Sequence, residues 1–237
     1  MITIEFTPEE LELYKLELVE HVKQSIQKAM EHRSNIDTDV LKLPGMSSDK
    51  TRHFFNNLMS RSGTRYLEIG MWRGSTFSAS VSNNSNIVRA VGIDNWSQSY
   101  WFENNDSTRR QDCIDNVTKF VPENVNATII DADCFSVEMD EFDTTFDVYF
   151  YDGPHDSASQ MMALFHFYPV LDDVFVFIVD DYNPYSGAEV IRGTQDAIKH
   201  VDATKLFEIE LPVTKNMDTE NWWNGLYVVV LAKRSVA

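Results

Sequence analysis

The chain has 237 residues, 43% of them hydrophobic and 12% aromatic, which is enough for one large globular domain with a substantial core. Its formal net charge of −17 argues against nucleic acid or an anionic membrane surface as a partner, because both carry negative charge. With no apolar run of about 18 residues, no signal-peptide pattern and two distant cysteines, we expect a cytoplasmic protein without a membrane span or disulfide framework.

Residues 1–62 are predicted to form a helical extension. Thr7 precedes Pro8-Glu9-Glu10, the pattern of a capped helix start, and apolar residues then recur at helical spacing to about His32. Ser48 is predicted to cap a second helix that ends near Arg61. The first helix is amphipathic, so we expect it to pack against the main domain or to join two subunits of a homo-oligomer.

Residues 63–237 are predicted to form one compact α/β unit. Five short apolar runs are typical of strands buried on both faces: Tyr66–Ile69, Ile87–Ile93, Ala127–Ile130, Phe146–Tyr151 and Val174–Val179. Four helical patterns accompany them: Ser75–Val81, Ser107–Phe120, Ser157–Leu171 and Ala188–Val201. This alternation indicates a parallel sheet with crossover helices. Two later strands, Leu206–Leu211 and Leu226–Ala232, have only a loop between them and are expected to pair antiparallel.

Polar residues and glycines follow each predicted parallel strand, at the edge where open α/β sheets bind ligands. They form five segments: Glu68-Ile-Gly70-Met-Trp-Arg-Gly74, Asp94-Asn-Trp96, Asp131-Ala-Asp133-Cys134, Asp152-Gly-Pro-His155 and Asp180-Asp181-Tyr182-Asn183. Trp72 occupies the position where a dinucleotide-binding turn has its second glycine, which disfavours a nicotinamide-dependent oxidoreductase. The spacing from Gly70 to Gly74 leaves a wider turn before a helix that can receive a carboxylate, and Asp94 can accept hydrogen bonds from both hydroxyls of a ribose.

Three motifs carry a resemblance to a known family: Leu67-Glu-Ile-Gly70-x-x-x-Gly74-x-Thr76, Asp152-Gly-x-His155 and Asp180-Asp181-Tyr182. From about Tyr66 to Arg234 the sequence resembles the class I S-adenosylmethionine (SAM)-dependent methyltransferases. Within that class it looks most like the branch of metal-dependent sugar O-methyltransferases. The resemblance implies a Rossmann-like, doubly wound, seven-stranded and mostly parallel sheet with an antiparallel last strand, preceded here by N-terminal helices.

The sequence departs from that branch at two places. Asp172-Asp173 stand where relatives have a Gly-Gly turn before the fifth strand, a change that is expected to affect only the turn. Pro154 and Ser157 replace a carboxylate and a tyrosine near the expected site. The second departure leaves the class of substrate open.

The resemblance also implies SAM as the cofactor and assigns residues to its parts. These are Glu68, Gly70 and Gly74 for the methionine, Asp94 for the ribose, and Asp133, Cys134 and Trp96 for the adenine. Trp96 would cover the adenine face, or it would simply pack within the protein.

Asp152, Asp180 and Asp181 follow strands that are expected to be neighbours, so their carboxylates would repel one another without a counter-ion. A hard cation such as Mg²⁺ prefers oxygen ligands, and it would lower the pKa of a hydroxyl that it binds. His155, near the start of a helix whose dipole disfavours imidazolium, would be a neutral base, or it would only cap the turn. Asp152 and His155 are therefore the candidate catalytic residues.

The function predicted from these residues is O-methylation of a small hydroxylated molecule, a sugar or a phenol, aided by a divalent metal. The alternative is a non-catalytic module that keeps the nucleotide fold to bind a ligand or a partner. Trp222 and Trp223, between the last two strands, would line either the acceptor pocket or a subunit contact.

Overall fold

The computed structural model describes residues 6–97 and 108–234. Its helices are α1 (Pro8–Met30), α2 (Asp49–Leu58), α3 (Ser75–Val81), α4 (Arg109–Phe120), α5 (Ser157–Phe167) and α6 (Ala188–His200). Its strands are β1 (Arg65–Ile69), β2 (Arg89–Asp94), β3 (Asn126–Asp131), β4 (Phe146–Tyr151), β5 (Leu171–Val179), β6 (Ala203–Leu211) and β7 (Leu226–Lys233). Ser107, the predicted start of the helix before β3, lies outside the described residues.

The strands form a seven-stranded sheet in the order β3-β2-β1-β4-β5-β7-β6. β1 to β5 run parallel, whereas β7 pairs antiparallel with both β5 and β6. The predicted doubly wound, Rossmann-like fold is therefore confirmed. The strand order reverses between β1 and β4, and this switch point is where such sheets bind ligands. Ile69 is in register with Tyr151 there, so the segments that follow β1 and β4 begin side by side.

Each face of the sheet is covered by helices because the central strands are apolar on both sides. Along β4, Val148 and Phe150 join a core with α1 to α4, while Tyr149 and Tyr151 join a second core with α5 and α6. This alternation follows from the two-residue period of a strand. Among the described residues, no helix is long and apolar enough to span a membrane.

The N-terminal helices pack on the main domain, which is the first of the two expected placements. Thr7 and Glu10 form the predicted capping box at the start of α1. Leu18 and Val22 of α1 are buried in the same core as residues of the sheet. A homo-oligomer through these helices, and the division of the chain at residues 62 and 63, stay predictions.

The start of β5 differs from the sequence-based prediction. The preceding helix ends at Phe167 rather than Leu171, because a short 3₁₀ turn containing Pro169 follows and Leu171 already pairs with Phe146. Asp172 consequently lies within β5, where it forms an ion pair with Arg65 and accepts a hydrogen bond from Thr145. The expectation that Asp172-Asp173 affect only a turn is therefore wrong.

Candidate functional site

The turn after β1 packs directly on the end of β4. Gly70 and Gly74 have φ angles of +86° and +73°, in the region that favours glycine. A Cβ at Gly70 would overlap the carbonyl oxygen of Asp152. The close approach of these two segments therefore depends on glycine at position 70, and it brings the first predicted motif against the second.

The carboxylate of Asp94 holds this turn in place. Its Oδ2 accepts hydrogen bonds from the backbone N–H groups of Met71 and Trp72, both at 2.8 Å, and its Oδ1 accepts one from Trp96 at 2.7 Å. An ionised carboxylate has about four acceptor positions. One position, on Oδ1, is left for a ribose hydroxyl, whereas the sequence led us to expect bonds to both hydroxyls.

The residues assigned to adenine follow β2 and β3. The indole N–H of Trp96 donates to the carbonyl oxygen of Trp72 at 2.7 Å, so the ring is fixed against the glycine turn. Asp133 accepts a hydrogen bond from the backbone N–H of Phe135 at 2.9 Å. Burial raises the pKa of the Cys134 thiol to about 12, so this cysteine stays neutral and suits contact with an uncharged ring.

Glu68 is fully buried at the end of β1. Its Oε2 accepts a hydrogen bond of 2.6 Å from the hydroxyl of Tyr66, while its Oε1 has no hydrogen-bond partner among the residues that the structure describes. Burial raises the pKa of Glu68 well above its usual range; the Tyr66 hydroxyl opposes this shift, and Asp152 and Asp94 add to it. An unpaired buried carboxyl oxygen calls for a donor, and a ligand ammonium group would supply one.

We expect binding of S-adenosylhomocysteine (SAH) to release a proton from Glu68. Burial holds the pKa of this carboxyl well above its usual range in the free protein, and an ammonium group beside it would favour the carboxylate and lower that pKa. The affinity for SAH should therefore rise with pH between the pKa of Glu68 in the complex and its higher pKa in the free protein. Calorimetric titration in buffers of different ionisation enthalpy measures this release, and it should vanish in Glu68→Gln. An equal release from Glu68→Gln would show that another group loses the proton.

The ends of β4 and β5 bring together Asp152, His155 and Asp181. One potential ligand atom from each residue lies within 4.8 Å of the other two. His155 Nε2 is 3.1 Å from Asp181 Oδ2 and 3.9 Å from Asp152 Oδ1. The side chain of His155 is 52% exposed, compared with 28% for Asp152 and 15% for Asp181, so the group opens to solvent on the histidine side.

Asp180 lies outside this group of three although it was predicted as a ligand. Its backbone N–H continues the pairing of β5 with β4 by donating to Tyr151 at 3.1 Å. Burial and the Asp152 and Asp181 carboxylates raise the pKa of Asp180 well above its usual range, which indicates that the three acids share one region. Conversely, His155 was predicted as a base and not as a ligand, yet it belongs to the group.

The charge state of His155 differs from the one expected. The carboxylates of Asp152 and Asp181 raise its pKa to about 8, against the effect of burial, so the imidazolium form is favoured near pH 7. α5 begins at Ser157 with Asp156 as its N-cap, and the nearby carboxylates outweigh the helix dipole. Burial and Asp181 raise the pKa of Asp152 to about 6, while His155 opposes that shift.

Sequence reasoning missed Tyr66 and Asn183 and left the place of Trp222 open. Tyr66 lies two residues before the predicted Glu68 on the same face of β1, and this spacing could have identified it as the partner of Glu68. Asn183 was considered only as part of a strand end, but it is 2% exposed and makes several side-chain hydrogen bonds. Trp222 is buried against Phe54 of α2, 6.2 Å between ring centroids, and belongs to the core of its own chain.

Comparisons with known proteins address the domain family and the fold. Residues 67–182 match the family described as a methyltransferase domain. The fold is similar to that of the O-methyltransferase TomG from Streptomyces achromogenes, which is involved in tomaymycin synthesis and was solved in complex with SAM. The two chains share 14% sequence identity, and the TM-score is 0.53 over 89% of this chain and 90% of that one. It is also similar to an O-methyltransferase from Bacillus cereus solved with SAH, at 13% identity and a TM-score of 0.53 over 89% and 91%.

A third similar structure, from Klebsiella pneumoniae, is provisionally assigned as an O-methyltransferase; it has 16% identity and a TM-score of 0.52 over 89% of this chain and 90% of that one. Likeness at these identities shows a shared fold. No curated protein matches the sequence.

Proposed function

We propose that this chain, whose residues 67–182 match a methyltransferase domain, is a class I SAM-dependent enzyme that transfers the methyl group of SAM to a hydroxyl oxygen of a small molecule with the aid of a divalent cation. The observation that carries the proposal is the group Asp152, His155 and Asp181, which the contact between Gly70 and Asp152 places beside the glycine turn. We further propose that the protein acts in the cytoplasm.

The donor half of the site offers partners for three parts of SAM: the methionine ammonium, the ribose and the adenine. We assign the methionine ammonium to the unpaired Oε1 of Glu68 and a ribose hydroxyl to the remaining acceptor position on Asp94. The adenine is assigned to the pocket of Asp133, Cys134 and Trp96, where a carboxylate can accept from the exocyclic amine. Gly70 and Gly74 keep side chains away from the methionine part.

The acid group fits a hard divalent cation such as Mg²⁺. Two carboxylates and an imidazole present ligand atoms within 4.8 Å, and Asp180 is a further carboxylate in the same region. We assign Asp152, Asp180 and Asp181 as ligands. When bound, the cation would hold the acceptor oxygen, lower the pKa of its hydroxyl and favour the neutral form of His155.

The protein groups then have two tasks. Glu68, Asp94 and the glycine turn position the sulfonium methyl group, since an in-line displacement mainly requires proximity and alignment. His155, the most exposed member of the acid group, takes the proton from the acceptor hydroxyl at its Nε2. The carboxylates around it repel anionic acceptors, so a neutral sugar or phenol is the proposed substrate, and neither DNA nor RNA is.

Asp94→Ala should weaken SAH binding by about 1–3 kcal/mol, because the ribose loses a charge-assisted bond and the turn loses the carboxylate that holds it. Isothermal titration of the variant measures the change. Asp143→Ala, which removes an exposed acid paired with Arg89 at the opposite end of the sheet, is the matched control and should leave the affinity near that of the wild type. Equal affinity in Asp94→Ala would contradict the ribose assignment.

The proposal is tested by assaying methyl transfer from SAM to a panel of neutral phenols and sugars, with and without a chelator. We expect transfer to at least one acceptor, lost in excess chelator and restored by Mg²⁺. Full turnover in excess chelator would disprove the metal role and leave His155 as the main candidate for removing the proton.

A further inference from the structure

Asp181 has a backbone conformation that is unusual for a residue with a side chain. Its φ angle is +56°, in the left-handed region, which asparagine and aspartate visit more readily than most other residues. It stands two residues after the end of β5, beside the acid group. A left-handed residue at such a place persists when its surroundings hold it there.

This conformation explains how two consecutive acids reach one site. In an extended strand, adjacent side chains point to opposite faces of the sheet, so Asp180 and Asp181 would diverge. Asp180 still pairs with β4 through its backbone, whereas the chain reverses at Asp181. The carboxylate of Asp181 thereby comes within 3.1 Å of His155 Nε2 and close to Asp152.

The buried residue Asn183 stabilises the reversal of the chain at Asp181 through hydrogen bonds. Its backbone N–H and its side-chain amide both donate to the carbonyl oxygen of Asp181, at 3.0 and 3.2 Å. The same amide donates to the carbonyl oxygen of Asn224 at 2.7 Å, in the loop between β6 and β7. Its Oδ1 accepts from the backbone N–H groups of Tyr185 and Ser186, both at 2.9 Å. Both polar atoms of this buried side chain are therefore used to connect Asp181 with its neighbours.

Gly187 allows the same reversal because its backbone lies close to the carbonyl oxygen of Asp181. A Cβ at this position would overlap the carbonyl oxygen of Asp181. The backbone N–H of Gly187 also donates to the carbonyl oxygen of Asn183 at 3.0 Å. The segment from Asp181 to Gly187 is thus a closed loop that ends where α6 begins.

We infer that Asn183 is a positioning residue, which holds Asp181 in its left-handed conformation so that the Asp181 carboxylate faces Asp152 and both can bind one divalent cation. This inference rests on the metal role in the proposed function. Asn183 acts through Asp181 and does not itself bind the cation.

The test measures the binding of Mn²⁺ to the full chain. The electron paramagnetic resonance signal of free Mn²⁺ reports how much of the ion remains unbound. Asn183→Ala should weaken Mn²⁺ binding by about 10–100-fold, the usual effect of losing a group that orients a ligand. Its affinity for SAH should stay close to that of the wild type, because the donor half of the site is formed by other strands. Loss of cation affinity without loss of SAH affinity separates positioning from general destabilisation.

Asn84→Ala is the matched control. Asn84 is also buried, at 1% exposure, and its amide donates to the carbonyl oxygens of Asn56 and Ser80, on the approach to the start of β2. This variant should be less stable than the wild type and bind Mn²⁺ as tightly. Gly187→Ala is a second, independent variant that should weaken Mn²⁺ binding, because its Cβ would displace the backbone of Asp181. If Asn183→Ala does not fold, this variant tests whether the conformation of Asp181 is needed for cation binding.

The outcomes distinguish the inference from the proposed function. A folded Asn183→Ala or Gly187→Ala protein that binds Mn²⁺ like the wild type would overturn the positioning role and leave the metal site intact. A wild-type protein that does not bind Mn²⁺ would overturn the metal site and the positioning role together.

Discussion

Asp152→Asn is expected to lower turnover by about 10³-fold while SAH affinity stays nearly unchanged. The reason is that the proposed cation would supply several kcal/mol of charge stabilisation at the acceptor oxygen, and Asp152, whose backbone contacts the glycine turn, is one of its proposed ligands. Asparagine keeps the size of the side chain and removes its charge. Single-turnover methyl transfer under saturating SAM and Mg²⁺ measures the effect on the reaction itself.

Asp147→Asn is the control for this substitution. Asp147 is a buried acid at the opposite end of the same strand, where it forms an ion pair with Arg61 and accepts from the backbone N–H of Arg65. Its loss should reduce stability but not the turnover of the folded fraction. Comparable losses of turnover in the Asp147 and Asp152 variants would indicate damage to β4 rather than to a metal site.

His155→Ala is expected to lower turnover by about 10²–10⁴-fold, the range for removal of a general base. Because nearby carboxylates raise the pKa of His155 to about 8, the wild-type rate should increase with pH as the imidazolium loses its proton. Higher Mg²⁺ concentration should move this rise to lower pH, since the cation disfavours the imidazolium. Pre-steady-state rates across pH 6 to about 9 should show the rise in the wild type and not in the variant.

His166→Ala serves as the matched histidine variant. His166 lies on α5 with its Nε2 3.1 Å from the carbonyl oxygen of Val137, away from the acid group. It should keep the wild-type pH profile. If His155→Ala retains most of the turnover and the same profile, His155 only fills the turn before α5 and the proton leaves by another route.

The central strands β1, β2, β4 and β5 were predictable because burial on both faces produces uninterrupted apolar runs. Phe146–Tyr151 was located to the residue, and the order of elements implied the parallel sheet and the antiparallel end. β5 was placed three residues too late, because Asp172-Asp173 are polar and resemble a turn. Only the folded structure shows that Asp172 pairs with Arg65 of β1, a contact between distant parts of the sequence.

The positions of the site residues followed from topology, whereas their detailed roles did not. Carboxyl ends of parallel strands share one edge, so Asp152 and Asp181 could be expected together. Two of the acceptor positions on Asp94 are taken by backbone N–H groups of the glycine turn, and the type of residue at position 94 does not reveal this. The charge of His155 depends on carboxylate distances, and the left-handed Asp181 depends on hydrogen bonds made within the folded loop.

Calorimetric titration of the purified protein with SAH, and separately with NADH, tests the central claim most directly. We expect SAH to bind one site per chain at micromolar or tighter affinity and NADH not to bind. Binding of NADH without binding of SAH would contradict the assignment of the glycine turn to SAM.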